Sequence, residues 1–273
     1  MRLDLYKIKA YEIRKDLFEK FYLLNEGHPG SVFSILDVLI VLYYGGFIRL
    51  KNNLPIDDLI MSKGHATVGQ YPILKDLKVI KKNDWDNWGV RGGNKKSILK
   101  MFGNNNIPGI KSATGSLGHG IGFATGLGYF SKKKKIKKNS YVIISEGELY
   151  EGSTWEALLL LANLKLDNVT IILDINNNII LGNPKECLNL GNIKKKFESF
   201  GIFTRISNAH NFKNLDSEFR RLIKIKQPKC LIVNSIKGKG FKIMENKAMW
   251  HYWNPISKDQ YNKSLKELRE VYE

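Results

Sequence analysis

The sequence predicts an α/β fold, a doubly wound parallel sheet with helices on both faces. Three observations carry that expectation. Short apolar runs rich in Val, Ile and Leu, at 59–61, 141–144, 169–173 and 230–233, have the length and composition of buried strands. Helix-periodic stretches separate them, and strands alternating with helices are the pattern of parallel sheets. No Pro-, Ser- or Gly-rich linker and no internal repeat divides the 273 residues, so 1–273 reads as a single domain able to bury a full core.

The elements follow in order. Apolar positions within 5–24 (Ile8, Ile13, Leu17, Phe21, Leu24) fit one stripe of an amphipathic helix that stops at Gly27. A second helix is expected over 32–44, with Ser34 a candidate cap. Leu59-Ile60-Met61 is a short strand leading into a turn at Gly64-His65. The Gly- and Ala-rich stretch 118–130 suits a helix packed close to its neighbour, and the lysine run 132–138 is a charged connection to the next strand. A helix over 154–164 joins the strands at 141–144 and 169–173, and the strand at 230–233 precedes a Gly-rich loop at 238–240.

Composition narrows the function classes. The formal charge of +18 is spread along the chain, as expected from a bias toward Lys, Asn and Ile, and no zinc-finger spacing or RNA-binding aromatic signature accompanies it. Dedicated nucleic-acid binding is not expected. The first twenty residues mix charged and apolar side chains, unlike a signal peptide. No uninterrupted run of about 18 apolar residues marks a membrane span. A cytoplasmic protein is the expectation, with Cys187 and Cys230 as small packing residues in a reducing compartment.

Two tracts carry the chemistry. Ser145-Glu146-Gly147-Glu148 follows one apolar strand, and Leu173-Asp174-Ile175-Asn176-Asn177-Asn178 ends the next. Carboxylate, amide oxygen and backbone carbonyl are hard ligands that suit Mg2+ or Ca2+, and the open end of a parallel sheet is where such ligands collect. His28 lies between Gly27 and Pro29, and His65 sits in a tight turn after a strand. Imidazole suits proton transfer because its pKa lies near neutrality.

These tracts resemble signatures of the transketolase family. The resemblance rests on Gly27-His28-Pro29-Gly30-Ser31, Ser62-Lys63-Gly64-His65-Ala66, Thr114-Gly115-Ser116-Leu117-Gly118-His119-Gly120, Glu151-Gly152-Ser153-Thr154-Trp155-Glu156-Ala157 and Lys237-Gly238-Lys239-Gly240, in the family's order. The family's cofactor motif reads Gly-Asp-Gly with a later Asn; here Ser145 and Glu146 replace its first two residues.

The resemblance implies a thiamine-diphosphate-binding fold, with thiamine diphosphate and Mg2+ (or Ca2+) as cofactors. It implies that Glu146, Asn176 and the Asn178 carbonyl hold the metal, with Gly147 and Glu148 beside the diphosphate. His65 would meet diphosphate and donor substrate, and His28 would help move protons. Gly115, Ser116 and Leu117 would cover the cofactor rings, Ile180 would support their bent conformation, and Lys237 would flank the diphosphate. Glu151 and Glu156 match carboxylates that reach a subunit interface and relay protons. The family's substrate histidine aligns with Tyr252, leaving His251 one position off, and a second is missing from Met101-Phe102-Gly103-Asn104. His119 stands where Gln is usual.

The function implied is the N-terminal subunit of a split transketolase, transferring a two-carbon ketol unit from a ketose (phosphate) to an aldose. The family glutamate that protonates the aminopyrimidine has no match here. The expected partner is therefore a C-terminal subunit with the pyrimidine-binding and C-terminal domains, together with self-association across the cofactor site. Two other readings stay open at this point. One is a diverged thiamine-diphosphate enzyme acting on an unusual sugar or 2-oxoacid; the other is a cofactor-free scaffold or polyanion-binding protein.

Overall fold

The computed structural model describes residues 2–89, 97–180 and 182–272. Helices α1 (Arg2–Leu24) and α2 (Pro29–Tyr44) come first, followed by a two-stranded hairpin, β1 (Leu50–Lys51) and β2 (Leu54–Pro55). Next are β3 (Asp58–Met61), α3 (Tyr71–Asp76), α4 (Lys82–Asp86), α5 (Gly120–Lys133), β4 (Ser140–Ser145), α6 (Gly152–Asn163) and β5 (Val169–Ile175). The chain closes with α7 (Pro184–Cys187), α8 (Ile193–Ser199), β6 (Phe203–Asn208), α9 (Phe212–Leu222), β7 (Lys229–Asn234) and α10 (Lys258–Tyr272). Five strands form one parallel sheet in the order β3-β4-β5-β7-β6. No described helix is long and apolar enough to cross a membrane.

Alternation along the strands builds a core on each face, because successive side chains point to opposite sides. Leu59, Met61, Tyr141, Ile143 and Leu231 join α1, α2, α9 and α10 on one face. Ile60, Val142, Ile144, Ile171 and Ile232 join α5, α6 and α8 on the other. The doubly wound α/β expectation therefore holds, with both sheet faces covered.

Local expectations are refined in three places. In α1 the buried stripe runs through Tyr6, Ala10, Ile13, Leu17, Phe18 and Phe21, while Ile8 is exposed. Helix α2 starts at Pro29 rather than 32, because Pro at the first helical position is already set for the turn. Ser34 is consequently not a cap; it lies inside the helix, where its hydroxyl, 3.0 Å from the Ser31 carbonyl, donates to the Asp174 carboxylate at 2.8 Å. Helix α5 extends to Lys133, so the lysine run begins inside it.

Gly27 ends the first helix region with φ 127°, and a Cβ there would lie 2.5 Å from the Phe21 ring. Only glycine turns the chain at that point and delivers His28 to the start of α2.

A buried charge cluster fixes α1 and α2 to the loop after β7. Arg14 donates to Asp37 at 2.7 Å, and the two side chains are 0% and 2% exposed. Asp37 also meets His210 Nδ1 at 2.8 Å, while His210 Nε2 accepts from the Ile236 amide at 2.9 Å. The accepting Nε2 places the imidazole proton on Nδ1, facing the carboxylate. Arg14 and His210 together hold the Asp37 carboxyl below its ordinary range against the opposing effect of burial. Removing one partner of such a pair costs about 3–5 kcal/mol, because the other charge stays buried and unpaired. Asp37→Ala is expected to lower unfolding stability in urea by about that amount. A loss below about 1 kcal/mol would show that the cluster does not hold these elements together.

Candidate functional site

A cleft of about 590 Å3 opens at the carboxyl ends of the strands. Its floor is set by the chain leaving β3, β4 and β5, since parallel strands present all these ends on one side. β3 leads to a 3-10 turn, Gly64–Gln70, that carries His65. A Cβ at Gly64 would lie 2.3 Å from the Thr114 carbonyl, so glycine is what lets loop 112–118 close over this turn. β4 leads to the turn Glu146–Tyr150, and β5 leads to Asn176 and Asn178.

Three imidazoles meet on one side. Ring centroids of His28 and His65 are 5.4 Å apart, those of His28 and His251 5.6 Å, and those of His65 and His251 5.5 Å. His28 precedes α2, and His251 ends the 3-10 turn Ala248–His251. The Nδ1 of His28 is buried with no hydrogen-bond partner among the described residues. Burial disfavours the imidazolium of all three, and Lys63 and Lys237 add positive charge beside His65 and His251. His251 is pulled down to about 4 and His65 well below its ordinary value. The rings are therefore neutral near pH 7, each able to accept or donate one hydrogen bond.

Beneath the rings, Lys63 pairs with Asp174 at 2.5 Å, the two side chains being 1% and 0% exposed. Ser34 and Ser235 donate to the same carboxylate. The Lys237 ammonium donates to the Asn178 carbonyl at 3.3 Å, and burial with Lys63 nearby brings its pKa to about 8. Sequence reasoning missed Lys63 and Asp174 as a pair. The available signal was that both sit at the ends of apolar strands, where a charge must find a partner.

The opposite wall carries Glu146, Gly147, Asn176 and Asn178. Glu146 Oε2 accepts from the Asn177 amide at 3.0 Å, and Asn176 Oδ1 accepts from the Asn178 amide at 3.1 Å. Burial and the neighbouring Asp174 raise the Glu146 pKa, a destabilisation of the carboxylate that a divalent cation would offset. Among the described residues no three His, Cys, Asp or Glu side chains gather into a metal site. A cation here would accordingly need the amide and carbonyl oxygens beside Glu146, and oxygens from its ligand. Hard oxygens, the Lys63 ammonium, the Lys237 ammonium beside the Asn178 carbonyl, and an apolar shelf of Leu117, Ile179, Ile180 and Leu188 fit an anionic diphosphate attached to flat rings.

Several expected residues are placed differently. Glu148 is 0% exposed and stands behind the wall rather than on the cleft. It accepts from the Ser62 hydroxyl, the Gly118 amide (3.0 Å), and the Ser145 amide (2.8 Å) and hydroxyl (3.1 Å), so it clamps three loops together. Gly115 and Leu117 line the cleft, whereas Ser116 between them is exposed and outside the lining. Ile180 is at the rim, 63% exposed, which excludes simple core packing. Glu151 lies on the rim, directly before α6, and Glu156 is exposed on that helix. Cys230 is buried as expected, but Cys187 is exposed and borders the cleft. Phe102 and Tyr252 flank His28 at ring distances of 5.7 and 5.0 Å.

Comparison with known proteins gives a consistent picture. Residues 10–268 match the family described as transketolase, thiamine diphosphate binding domain. A protein of Phocaeicola vulgatus, named as one of the subunits of an apulose-4-phosphate transketolase, is 32% identical over 278 residues, covering 100% of this chain and 97% of that protein. A protein of the same name from Actinobacillus succinogenes is 33% identical over 277 residues, covering 96% and 95%. A solved transketolase from Campylobacter jejuni has a TM-score of 0.82 at 25% identity; the match covers 98% of this chain and 43% of that one. The chain thus spans less than half the length of that solved structure.

The depressed imidazoles make the cleft acid-sensitive. Below the ordinary pKa of 6.5, an unfolded histidine binds its proton while these three resist it, so acid favours unfolding. The stability they contribute is present above pH 6.5 and is lost as pH falls toward about 4. Tm measured across that window is expected to fall, with a shallower slope for His251→Asn. Identical slopes in the two proteins would remove His251 from this account.

Proposed function

The chain belongs to the transketolase family, matching its thiamine-diphosphate-binding domain, and we propose that it is the N-terminal subunit of a two-chain transketolase. In this reading it transfers a two-carbon ketol unit from a ketose phosphate to an aldose acceptor. The observation that carries it is the cleft itself: oxygen ligands, paired lysines and three neutral imidazoles converge at the carboxyl edge of a parallel sheet. The two-chain form is supported by two relatives whose names make them single subunits of a transketolase, and which this chain matches over 97% and 95% of their lengths. The partner proposed is a C-terminal transketolase subunit carrying the pyrimidine-binding and C-terminal domains.

Glu146, Asn176 and the Asn178 carbonyl would hold Mg2+ against the diphosphate of thiamine diphosphate. When bound, that cofactor supplies the electron sink for cleaving and forming the carbon–carbon bond. Lys63 and Lys237 contribute positive charge beneath the diphosphate. His65 and His251 hold the substrate oxygens by hydrogen bonds, and the cleft-lining imidazole of His28 takes or returns a substrate hydroxyl proton. Proton transfer by a placed imidazole is worth about 10^2–10^4 in rate. Leu117 and Ile180 exclude water from the reacting end. Glu151 and Glu156, exposed near α6, relay protons across the subunit interface.

A second copy of this chain is the proposed partner at α5 and α6. Phe123 and Phe130 of α5 and Leu159 and Leu160 of α6 are each more than half exposed. A Cβ at Gly122 or Gly126 would meet nothing within 4 Å, leaving room for a helix of the second copy to approach.

Substrate choice favours a second, narrower reading. Phe102 and Tyr252 crowd His28 at the mouth, so the pocket suits an unusual ketose better than a common pentose phosphate. Apulose-4-phosphate, named for two relatives, is the first to try. The cofactor-free scaffold reading draws no support from the cleft, where Lys63 and Asp174 remain paired and the imidazoles remain together.

Thiamine diphosphate titrated with Mg2+ is expected to bind this chain together with its C-terminal partner, and the pair to transfer ketol units; the chain alone should be inactive. Cofactor binding by the pair without transfer from any ketose phosphate would remove the transketolase assignment while leaving the cofactor site. Glu146→Ala should weaken metal-dependent cofactor binding beyond the roughly 10–100-fold cost of losing a supporting residue, and Glu146→Asp should largely retain it. Unchanged binding in Glu146→Ala would remove Glu146 from the metal site.

A further inference from the structure

The opposite edge of the sheet holds a second cavity, of about 410 Å3, among the starts of β4, β5 and β7, the turn after α5 and the turn after α9. Strands of this length put the two edges about 20 Å apart, so it is separate from the cleft. Seven cationic side chains line it. Three face carboxylates: Arg49 pairs with Asp57, Lys138 with Asp58, and Lys132 with Asp167 at 3.2 Å. The other four, Lys135, Lys137, Lys226 and Lys229, have no carboxylate partner within ion-pair distance among the described residues.

Lys229 is the informative member. It is only 4% exposed, and its ammonium donates to the Asp167 and Ile225 carbonyls rather than to a carboxylate. Burial brings its pKa down to about 8; the Asp167 carboxylate opposes the fall and Lys226 adds to it. A solvated lysine face carries no such burden, because each ammonium remains in water. The buried ammonium is destabilised chiefly by desolvation, which an anion in the cavity relieves, and the exposed Lys135, Lys137 and Lys226 around it are free to meet the same anion. The walls are not uniformly polar: Ile136 and Ile223, each 48% exposed, flank the charged floor. The volume lies in the range of small-molecule pockets, about 300–1,000 Å3, and the charge converges on one concavity.

We propose that this cavity is a second binding site, for a small phosphorylated anion carrying two or more phosphate groups. The lysines meet the phosphates, and the isoleucines accommodate any base or sugar attached to them. This inference is independent of the transketolase reading, because it uses none of the cleft residues.

Calorimetric titration of the full chain with adenosine triphosphate, and separately with inorganic tripolyphosphate, tests it in metal-free buffer at about 0.15 M ionic strength. Both probes share the phosphate chemistry, and tighter binding of the nucleotide would assign a role to the isoleucines. The expected result is saturable binding of one probe per chain, with Kd below about 1 mM, unaltered in K237M, which removes a cation beside the cleft and none from this cavity. K137E/K226E changes two exposed lysines and is expected to weaken binding at least tenfold, with circular dichroism and Tm confirming the fold. K263E/K266E makes the same charge change on α10 and should leave binding unaltered. The proposal is overturned by absent or non-saturating binding, by equal loss in both double variants, or by a loss in K237M as large as that in K137E/K226E. Binding of many chains along one long polyphosphate, with negligible affinity for the short probes, would also overturn it in favour of a polymer-binding surface.

Discussion

The Lys63–Asp174 ion pair is the interaction on which the cleft depends. Each charge leaves water at a cost of several kcal/mol, which only close and fully bonded geometry offsets. Asp174 meets this condition by accepting from Lys63, from Ser34 in α2 and from Ser235 after β7. One carboxylate therefore ties together the ends of β3, β5 and β7 and the helix behind His28. The pair supplies position more than stability, since a well-packed apolar replacement could match its energy but not its directionality. Every group proposed to meet the diphosphate stands on a segment joined to it.

Glu148 does for the loops what Asp174 does for the strands. Buried behind the wall, it collects donors from Ser62, Gly118 and Ser145 and so fixes the turn carrying Glu146 against loop 112–118. Burial raises its pKa, and those donors oppose the shift by stabilising the carboxylate. The cleft is thus framed by two buried carboxylates, neither of which needs to touch a ligand.

The two edges of the sheet differ in electrostatic design. At the carboxyl edge the cations are matched by carboxylates and amide oxygens, a balance suited to holding a diphosphate with a divalent metal. At the amino edge Lys135, Lys137, Lys226 and Lys229 outnumber the acids available. The overall +18 charge conceals this contrast, because composition counts lysines without saying which of them face one another.

The sequence by itself determined the fold class and the family. Four apolar runs at alternating spacing became β3, β4, β5 and β7, because a strand buried on both faces has to be apolar along its length. The edge strand β6 escaped notice because Arg205, Ile206 and Asn208 leave it partly exposed and without an apolar run. Glycine-bounded motifs marked His28, His65 and Glu146, since close backbone approach limits which residues fit, and the end of an apolar strand marked Asn176. Only the tertiary structure decided that Glu148 is a clamp, that Ser34 serves Asp174 rather than a helix end, that Cys187 is exposed, and that Lys63 and Asp174 pair. Those outcomes depend on which distant segments meet when the sheet closes, and burial, which sets the role of a charged side chain, is a property of that meeting and not of local sequence.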